Sequence, residues 1–377
     1  MPVSFDIKSS TGGYGVSIGN GALAELLSRP GDQVFVVDAY FAHLFEGAAE
    51  SPILIEAKET SKSLDRIPDV IIALRERSVT RGTTLIAVGG GIVQDIAAFV
   101  ASVYMRGIDW IYVPTTLLSM VDSCIGGKSS INVGKYKNIV GGFHPPKQVI
   151  IDPSLAGTLG DEQMAAALCE AAKICLCLDV STFDRYLGLD PNVNSSAEAV
   201  GQIIDLSLRA KKHFIEIDEF DKGERLTLNF GHTFGHSLES ASCFAISHGI
   251  AVGLGMLAAI RLGELLGHDY SHLAHVARFH EHIERLVGAV DGIDGIVGGL
   301  SVDEAMDAFL SDKKHGRDSL AVVIFNGYGE VERVSLPRTT ASTAQIAKAF
   351  SSLIAEWRQT GRPVRDDVAE PVLAVTN

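Results

Sequence analysis

The sequence has five cysteines in 377 residues (Cys124, Cys169, Cys175, Cys177 and Cys243) and no CxxC pair. That scarcity speaks against a disulfide framework and makes a reducing cytoplasm the simplest home. Positive charge is also short, with 32 Lys and Arg against 46 Asp and Glu and a formal charge of -14. Nucleic acid and anionic membranes are bound through clustered positive charge, so neither is an expected partner. Any anion this chain binds must meet a local basic pocket. No uninterrupted apolar run approaches the roughly 20 residues that span a bilayer, because glycines and charges break every candidate. The opening "MPVSFDIKSS" has no charged start followed by an apolar core, so no signal is read there. Aromatics are only 7%, and there is no internal repeat or low-complexity linker.

What is abundant is glycine, 38 residues, in a composition that is 46% hydrophobic and 21% charged. That is the balance of a soluble globular protein with many tight turns. The length exceeds what one hydrophobic core usually serves, so two domains are expected. From residue 33 to about 155, short β-branched runs alternate with helical patterns: "QVFVVDA", "PILIEA", "SLDRIPDVIIALRERS", "TTLIAV", "IVQDIAAFVASVYM", "DWIYVPTT" and "QVIIDP". This rhythm predicts βαβ units around a largely parallel sheet. From about 160, "DEQMAAALCEAAKICLCL", "SAEAVGQIIDLSLRAKKHFIEI", "HTFGHSLESAS", "HGIAVGLGMLAAIRLGELLG" and "SHLAHVARFHEHIERLVGAV" have helical periodicity. One late run, "LAVVIFNGYGEVERVSL", reads as a hairpin turned at "NGYG". The fold class is therefore α/β: a Rossmann-like domain over 1–158, a mainly helical domain over 159–360, and a peripheral tail over 361–377.

Several stretches carry chemistry. In "TTLIAVGGGIVQD", Gly89, Gly90 and Gly91 stand between a buried strand and a helix, where bare backbone N–H groups can approach a phosphate. A tight turn that needs one or two glycines is the plainer reading, and the spacing is not GxGxxG. Asp38 ends "VFVVD", where a carboxylate suits either ribose hydroxyls or a turn. "TTLLSMVDSCIGGKSSINVGKYKN" offers Asp122, Lys128, Lys135, Lys137 and Asn138 in a glycine-rich segment after a strand, the usual place of ligand loops in open α/β sheets. Glu170 and Lys173 in "CEAAKICL" share a helix face among apolar neighbours, so at least one must point into a poorly solvated place. His232 and His236 in "NFGHTFGHSLES" share a face if that stretch is helical, and His248 precedes another apolar helix. Glu170, His232 and His248 would suit a zinc ion with an open position, while satisfied core histidines stand as the alternative. HxxxH lacks the glutamate of HExxH, so a thermolysin-like protease is not supported. "DEFDKGERLTLN" adds Asp218, Glu219, Arg225 and Asn229, and "SDKKHGR" adds Lys313 and Lys314, either of which suits a solvent-facing position.

Together "VGGGIVQD", "YMRG", "VPTTLLSMVDSCIGGKSSIN", "KN", "CEAAK", "LNFGHTFGH", "HGIAVGLGM" and "DKK" resemble, in order and near-spacing, the 3-dehydroquinate synthase family of sugar phosphate cyclases. The resemblance covers roughly residues 30 to 330. It implies a Rossmann-like domain and a helical domain, with NAD and a divalent metal in the cleft between them. The metal, usually zinc with cobalt as an alternative, would be held by Glu170, His232 and His248. Asp38, Glu59, Lys62, Gly90, Gly91, Asp95, Thr115, Thr116 and Thr158 would line the NAD site. Substrate phosphate would meet Lys128, Asn138, His236, Lys313 or Lys314, and Asn229, which would sit one helical turn before His232, with Arg106 reaching across a homodimer interface. Lys211 and Arg225 match the pair that receives the substrate carboxylate. Asp122, Lys137 and Lys173 fall at other polar active-site positions, and Asp122, Lys128 and Lys137 also border the cofactor.

In that family NAD is recycled: a substrate hydroxyl is oxidised, phosphate is eliminated, the ketone is reduced back, and an intramolecular aldol closes a carbocycle. The implied reaction converts 3-deoxy-D-arabino-heptulosonate 7-phosphate to 3-dehydroquinate and phosphate, a step of the shikimate pathway. Departures from the family pattern are Gln94 for a glycine, Tyr136 for the glycine before "KN", Ile250 for a glutamate, Asp221 for a glutamate, and Tyr40 for an asparagine. They leave two alternatives: a paralogous cyclase making an aminodehydroquinate, a valiolone or an inosose, and a metal-dependent polyol or glycerol-phosphate dehydrogenase.

Overall fold

A computed structural model describes residues 3–29, 31–47, 51–134 and 136–360. The tail expected at 361–377 and the candidate Lys135 lie outside the described residues. Two compact units result, one running to Phe230 and including Glu330–Arg333, the other from Gly231 to Gly329 and from Val334 onward.

The first unit begins with strands β1 (Val3–Ile7) and β2 (Tyr14–Ile18), then α1 (Ala22–Ser28), β3 (Gln33–Asp38), β4 (Ile53–Ile55) and α2 (Ile67–Glu76). Next come β5 (Thr84–Gly89), α3 (Gly91–Val103), β6 (Trp110–Pro114), β7 (Lys128–Val133), β8 (Tyr136–Phe143) and β9 (Gln148–Ile151). Three helices follow: α4 (Asp161–Leu178), α5 (Val180–Leu187) and α6 (Ala197–Ile217). Seven strands form one sheet in the order β1-β2-β9-β6-β5-β3-β4. The β1–β2 pairing is antiparallel, and the others are parallel, as the βαβ rhythm predicts. Central β5 pairs Leu85 with Trp110 on one side and with Val34 on the other, and is buried from Leu85 to Gly89. Burial on both faces is why it reads as a continuous apolar run.

Two hairpins in this unit have no counterpart in the sequence reading. β1–β2 lies ahead of residue 33, where the alternating pattern begins, and β7–β8 occupies the glycine-rich segment after β6. β8 is exposed along most of its length, so it has no apolar alternation to detect. By element type, the change from strands to helices falls between β9 and α4. By packing, α4 to α6 belong with the sheet, because α6 lies on β1 and on the 3-10 turn after β9, and α4 lies on α6. A division by element type at 158/159 and one by packing at 230/231 therefore differ.

The second unit holds α7 (His232–Ala241), α8 (His248–Leu265), α9 (Ala274–Val287), α10 (Ile293–Gly298) and α11 (Val302–Leu310), then the hairpin β10 (Ser319–Phe325) and β11 (Val331–Pro337), and α12 (Thr340–Thr360). α8 is apolar all round and buried from Gly249 to Gly263, the mark of a core helix. Its length and composition would fit a membrane span, but 83% of it is buried inside the protein. Around it, Phe234, Phe309 and Phe350 from α7, α11 and α12 pack edge-on and tilted with ring centroids 5.1 to 6.1 Å apart.

Candidate active site

In the first unit the chain leaves β3 for β4 on one side and returns through α2 to β5 on the other, so the strand order reverses between β3 and β5. Ligands of open α/β sheets bind at such a switch, beyond the carboxyl ends of the strands. Asp38 ends β3, and Gly89 to Gly91 join β5 to α3. A Cβ on Gly89 would stand 2.6 Å from Val93, and one on Gly90 would stand 2.8 Å from Thr116, whereas one on Gly91 would meet nothing within 4 Å. The first two glycines thus serve packing, and the third leaves open space at the α3 N-terminus. Thr115 is buried and donates its N–H to the Gly89 carbonyl at 3.1 Å, and the Thr116 and Ser119 hydroxyls are 2.8 Å apart. Asp38 accepts the Tyr40 N–H at 3.1 Å, so its carboxylate also forms the turn of the plainer reading.

Close by in the same unit is a polar network. Buried Lys62 donates to Asp95 at 3.1 Å and to the Asn138 side-chain oxygen at 2.9 Å, with Glu59 3.9 Å away. Asn132, which the motif reading passed over, donates to Glu59 at 2.7 Å and accepts the Asn138 N–H at 2.8 Å. That second bond holds Asn138 in a left-handed conformation, φ 55°, which asparagine tolerates better than most residues. Burial pushes the Asp95 carboxyl up to about 6, although the Lys62 ammonium pulls against it. Lys137 is exposed on β8, Thr158 is exposed and donates to the Leu155 carbonyl, and Arg106 is exposed at a tip where Met105, Arg106 and Gly107 all have positive φ.

A second cluster forms around the π-helical turn Ser119–Ser123, closed by a 3.0 Å bond from the Cys124 N–H to the Ser119 carbonyl. Asp122 on this turn is gripped twice by buried Lys211 of α6, at 2.8 Å through its carboxylate and 2.6 Å through its carbonyl. Burial would raise the Asp122 carboxyl, but Lys211 and Lys173 outweigh it and hold it below the usual range. Lys211 itself is pulled down by burial and by Arg225, against the pull of Asp122. Buried Arg225 donates to the Glu219 carbonyl at 2.6 Å, and its guanidinium lies so close to Gly126 that a Cβ there would overlap it. Gly126 also has φ 99°, so only glycine fits both demands. Asp218, offered by the sequence as a site candidate, accepts the N–H groups of Lys222, Gly223 and Arg225 and so shapes the turn that presents Arg225. On α4, Glu170 and Lys173 are both buried and directly ion-paired, not a surface pair. Burial lowers the Lys173 ammonium, but Glu170 and Asp122 more than reverse that and raise it. Lys128 pairs with Asp221 at 2.5 Å, and Asn229 donates to the Leu226 carbonyl at 3.0 Å.

In the second unit, "HTFGHSLESA" is helix α7, the condition under which His232 and His236 share a face. The His232 ring centroid lies 5.5 Å from that of His236 and 5.3 Å from that of His248, and His236 and His248 stack at 5.7 Å. Glu239 approaches His248 Nδ1 at 3.3 Å, and His236, Glu239 and His248 bring one ligand atom each within 4.8 Å of one another. His236 Nδ1 is 3.8 Å from Asp312. Burial would raise the Asp312 carboxyl, but the His236 bond, the Lys314 N–H and the Lys314 charge bring it down to about 2. Lys313 is exposed, whereas Lys314 is half-buried, so the two lysines of "DKK" are not equivalent. Asn229 is not one turn earlier on the histidine helix: it ends a separate 3-10 turn, and Gly231, φ 78°, breaks the chain direction before α7. Glycine there carries no side-chain signal of helical phase, which is why spacing alone misplaced it.

Two family descriptions match the chain in tandem, "3-dehydroquinate synthase N-terminal" over residues 52–166 and "3-dehydroquinate synthase C-terminal" over 167–315. The 3-dehydroquinate synthase of Nitrobacter hamburgensis is 35% identical over 352 residues, 87% of this chain and 91% of that one. The chain belongs to the 3-dehydroquinate synthase family. Among solved structures, a 2-deoxy-scyllo-inosose synthase complexed with carbaglucose-6-phosphate, NAD+ and Co2+ superposes with a TM-score of 0.79 at 22% identity, covering 93% of this chain and 99% of that one. The 2-epi-5-epi-valiolone synthase of Streptomyces hygroscopicus, with NAD+ and Zn2+ bound, gives 0.74 at 24% identity, with 91% and 97% covered. These two show that the fold is shared.

Against the family pattern, each departure has a definite place. Gln94 is buried and bonded to Ser123. Asp221 keeps a carboxylate on Lys128, while Ile250 is fully buried in α8. Tyr136 and Tyr40 are exposed. Ser123, Asn132, Glu239 and Asp312 were not singled out by the sequence reading, because each acts by touching a residue remote in sequence or on another element.

Proposed function

We propose that this family member is a 3-dehydroquinate synthase, eliminating phosphate from 3-deoxy-D-arabino-heptulosonate 7-phosphate and closing the ring, a carbon–oxygen lyase reaction. The observation that carries the substrate choice is the convergence of Lys211 and Arg225 on the 122–126 segment, Lys211 at 2.6 to 2.8 Å from Asp122 and Arg225 against Gly126. Two buried cations beside one turn, Lys211 bonded to it and Arg225 packed on it, support a receptor for a carboxylate. A sugar phosphate without a carboxylate would leave them with their protein partners alone, Asp122 for Lys211 and the Glu219 carbonyl for Arg225.

The residues fit both cofactors implied by the family. Open space over Gly91, at the N-terminus of a 13-residue helix, suits a diphosphate. We assign the metal to Glu170, His232 and His248, two imidazole nitrogens and one carboxylate oxygen of the kind that suits zinc or cobalt, the two histidine rings standing 5.3 Å apart at their centroids. When bound, NAD accepts and returns a hydride and the metal polarises the oxygen on the reacting carbon.

The chain's own groups bind and orient around that chemistry. We assign Asp38, Glu59, Lys62, Gly90, Gly91, Asp95, Thr115, Thr116 and Thr158 to NAD. Lys62 sits between Asp95 and Asn138, so a shift on the cofactor side is felt by an amide assigned to phosphate. Lys128, Asn138, Asn229, His236 and Lys314 or Lys313 hold the phosphate and stabilise it as it leaves. Asp312, 3.8 Å from His236 Nδ1, keeps that ring oriented toward the phosphate side. Glu239 orients the His248 ring. Asp122, Lys137 and Lys173 complete the polar lining. The exposed, positive-φ tip at Arg106 supports a homodimer in which this side chain serves the second copy. Five unpaired thiols, three of them buried, support a cytoplasmic location.

The test is phosphate release, with NAD and zinc, from a panel of sugar phosphates with and without a carboxylate. Turnover of the heptulosonate phosphate without net NADH is expected. Turnover of only a carboxylate-free sugar phosphate would make the chain a cyclase of the valiolone or inosose kind, and accumulating NADH would make it a dehydrogenase.

A further inference from the structure

Gln94 lies on the first turn of α3 and is 5% exposed. Its amide nitrogen donates to the Ser123 carbonyl at 2.6 Å, and its amide oxygen accepts from the Ser123 hydroxyl at 2.6 Å. A carbonyl can only accept, so the nitrogen must face it; the hydroxyl then completes the second bond, and one amide orientation satisfies both. The Ser123 carbonyl is among the last of a helical turn, a group that needs a partner from outside the turn. Gln94 is that partner. Ser123 is next to Asp122, which Lys211 grips, and three residues before Gly126, on which Arg225 lies. The segment is thus held at three points: by α6 at Asp122, by α3 at Ser123, and at Gly126, whose N–H donates to Tyr14 Oη at 2.9 Å.

We propose that Gln94 is a positioning residue for substrate recognition: its two-bond clamp on Ser123 sets the 122–126 segment against Lys211 and Arg225, and so tunes their hold on the carboxylate. The inference rests on the carboxylate reading of Lys211 and Arg225. A glycine at this position would supply neither bond. The clamp narrows the freedom of a π-helical turn, an irregular element otherwise able to relax toward ordinary helix. Its benefit is therefore to binding geometry rather than to the chemical step.

The experiment compares Gln94→Met, which keeps the volume without hydrogen bonds, with Gln94→Glu, Ser123→Ala and Arg225→Ala in the NAD- and zinc-loaded enzyme. Steady-state kinetics on the heptulosonate phosphate, NAD affinity, Tm and amide hydrogen exchange at residues 121–126 are read. For Gln94→Met we expect KM to rise about five- to tenfold, the factor that one net buried hydrogen bond supports. Values of kcat and NAD affinity should stay near wild type, and exchange at 121–126 should quicken. Gln94→Glu should be at least as impaired, because its carboxylate faces a carbonyl. The double variant Gln94→Met with Ser123→Ala should be no worse than Gln94→Met alone, since Gln94→Met has already removed both bonds and Ser123→Ala takes away only the hydroxyl one. Wild-type KM and exchange in Gln94→Met would overturn the proposal, leaving Gln94 as filler. Should Gln94→Met fail to fold, Ser123→Ala serves: a KM rise of about threefold supports the clamp, and none overturns it. Arg225→Ala separates the two ideas. Unchanged KM in that variant sinks the carboxylate reading itself, whereas a raised KM there with an unchanged KM in Gln94→Met sinks only the role of Gln94.

Discussion

Gly255→Ala adds one methyl group where α8 crosses α7, the contact that sets His232 and His236 against His248. A Cβ at Gly255 would overlap the Gly231 carbonyl oxygen and stand 2.6 Å from the Gly235 N. From the other side, a Cβ at Gly235 would stand 2.9 Å from the Ala251 carbonyl oxygen. Comfortable non-bonded contact needs about 3.5 Å, so the helices must part by about 1 Å or more. Both obstacles are backbone and cannot swing aside, which places the strain at the upper end of overpacking, about 3 kcal/mol. For a chain of this size that lowers Tm by about 6 °C, at roughly 2 °C per kcal/mol. The histidine rings, 5.3 Å apart at their centroids, ride on the two helices and must separate with them. Zinc affinity, measured by chelator competition, should fall at least about tenfold, a modest share of what a misplaced ligand loses. Gly295→Ala on α10 is the control: a Cβ there meets nothing within 4 Å, so the added methyl should stabilise by about 0.5–1 kcal/mol. His232→Ala, losing metal and activity together, marks the full effect. A Gly255→Ala protein with wild-type Tm and zinc affinity would refute the close-approach argument.

Two further outcomes follow from the other clusters. Arg225→Ala should raise KM for the heptulosonate phosphate about ten- to hundredfold, the range for a hydrogen bond to a charged group, with NAD binding unchanged in titrations; loss of NAD binding would instead show that Arg225 holds the whole first unit in shape. On α9, burial and the neighbouring Arg285 pull His282 down to about 3. The unfolded chain takes up this proton below the ordinary histidine value of about 6.5 while the folded chain resists it. Stability from this group is therefore full above about pH 6.5 and declines as pH falls toward 3. Urea midpoints measured across that window should fall less steeply in His282→Gln, and parallel slopes would exclude His282 as the cause.

The buried pair Glu170 and Lys173 shows how residue types can be read while their roles stay open. Three-residue spacing on a helix told that Glu170 and Lys173 share a face, and the apolar letters around them told that the face is poorly solvated. Whether they meet each other or part toward different partners depends on side-chain torsions, which no spacing encodes. The same limit explains Asp218, which looks like a catalytic acid in the string and turns out to satisfy three backbone N–H groups. It also explains Asn229, whose apparent helical phase with His232 is broken by Gly231 in a left-handed conformation.

By itself the sequence determined the parallel sheet, the glycine turn after β5, the helical character from 161 onward and the family, because periodicity and ordered motifs are local properties that survive without coordinates. Tertiary structure alone decided which groups meet. The β7–β8 hairpin, the Gln94 clamp on Ser123, the Lys62–Asp95–Asn138 network and the glycine-lined crossing of α7 and α8 join residues 3 to 76 positions apart. Such contacts depend on how strands order in the sheet and how closely helices can approach. Those are settled by the packing of whole elements, and a linear pattern carries them only faintly.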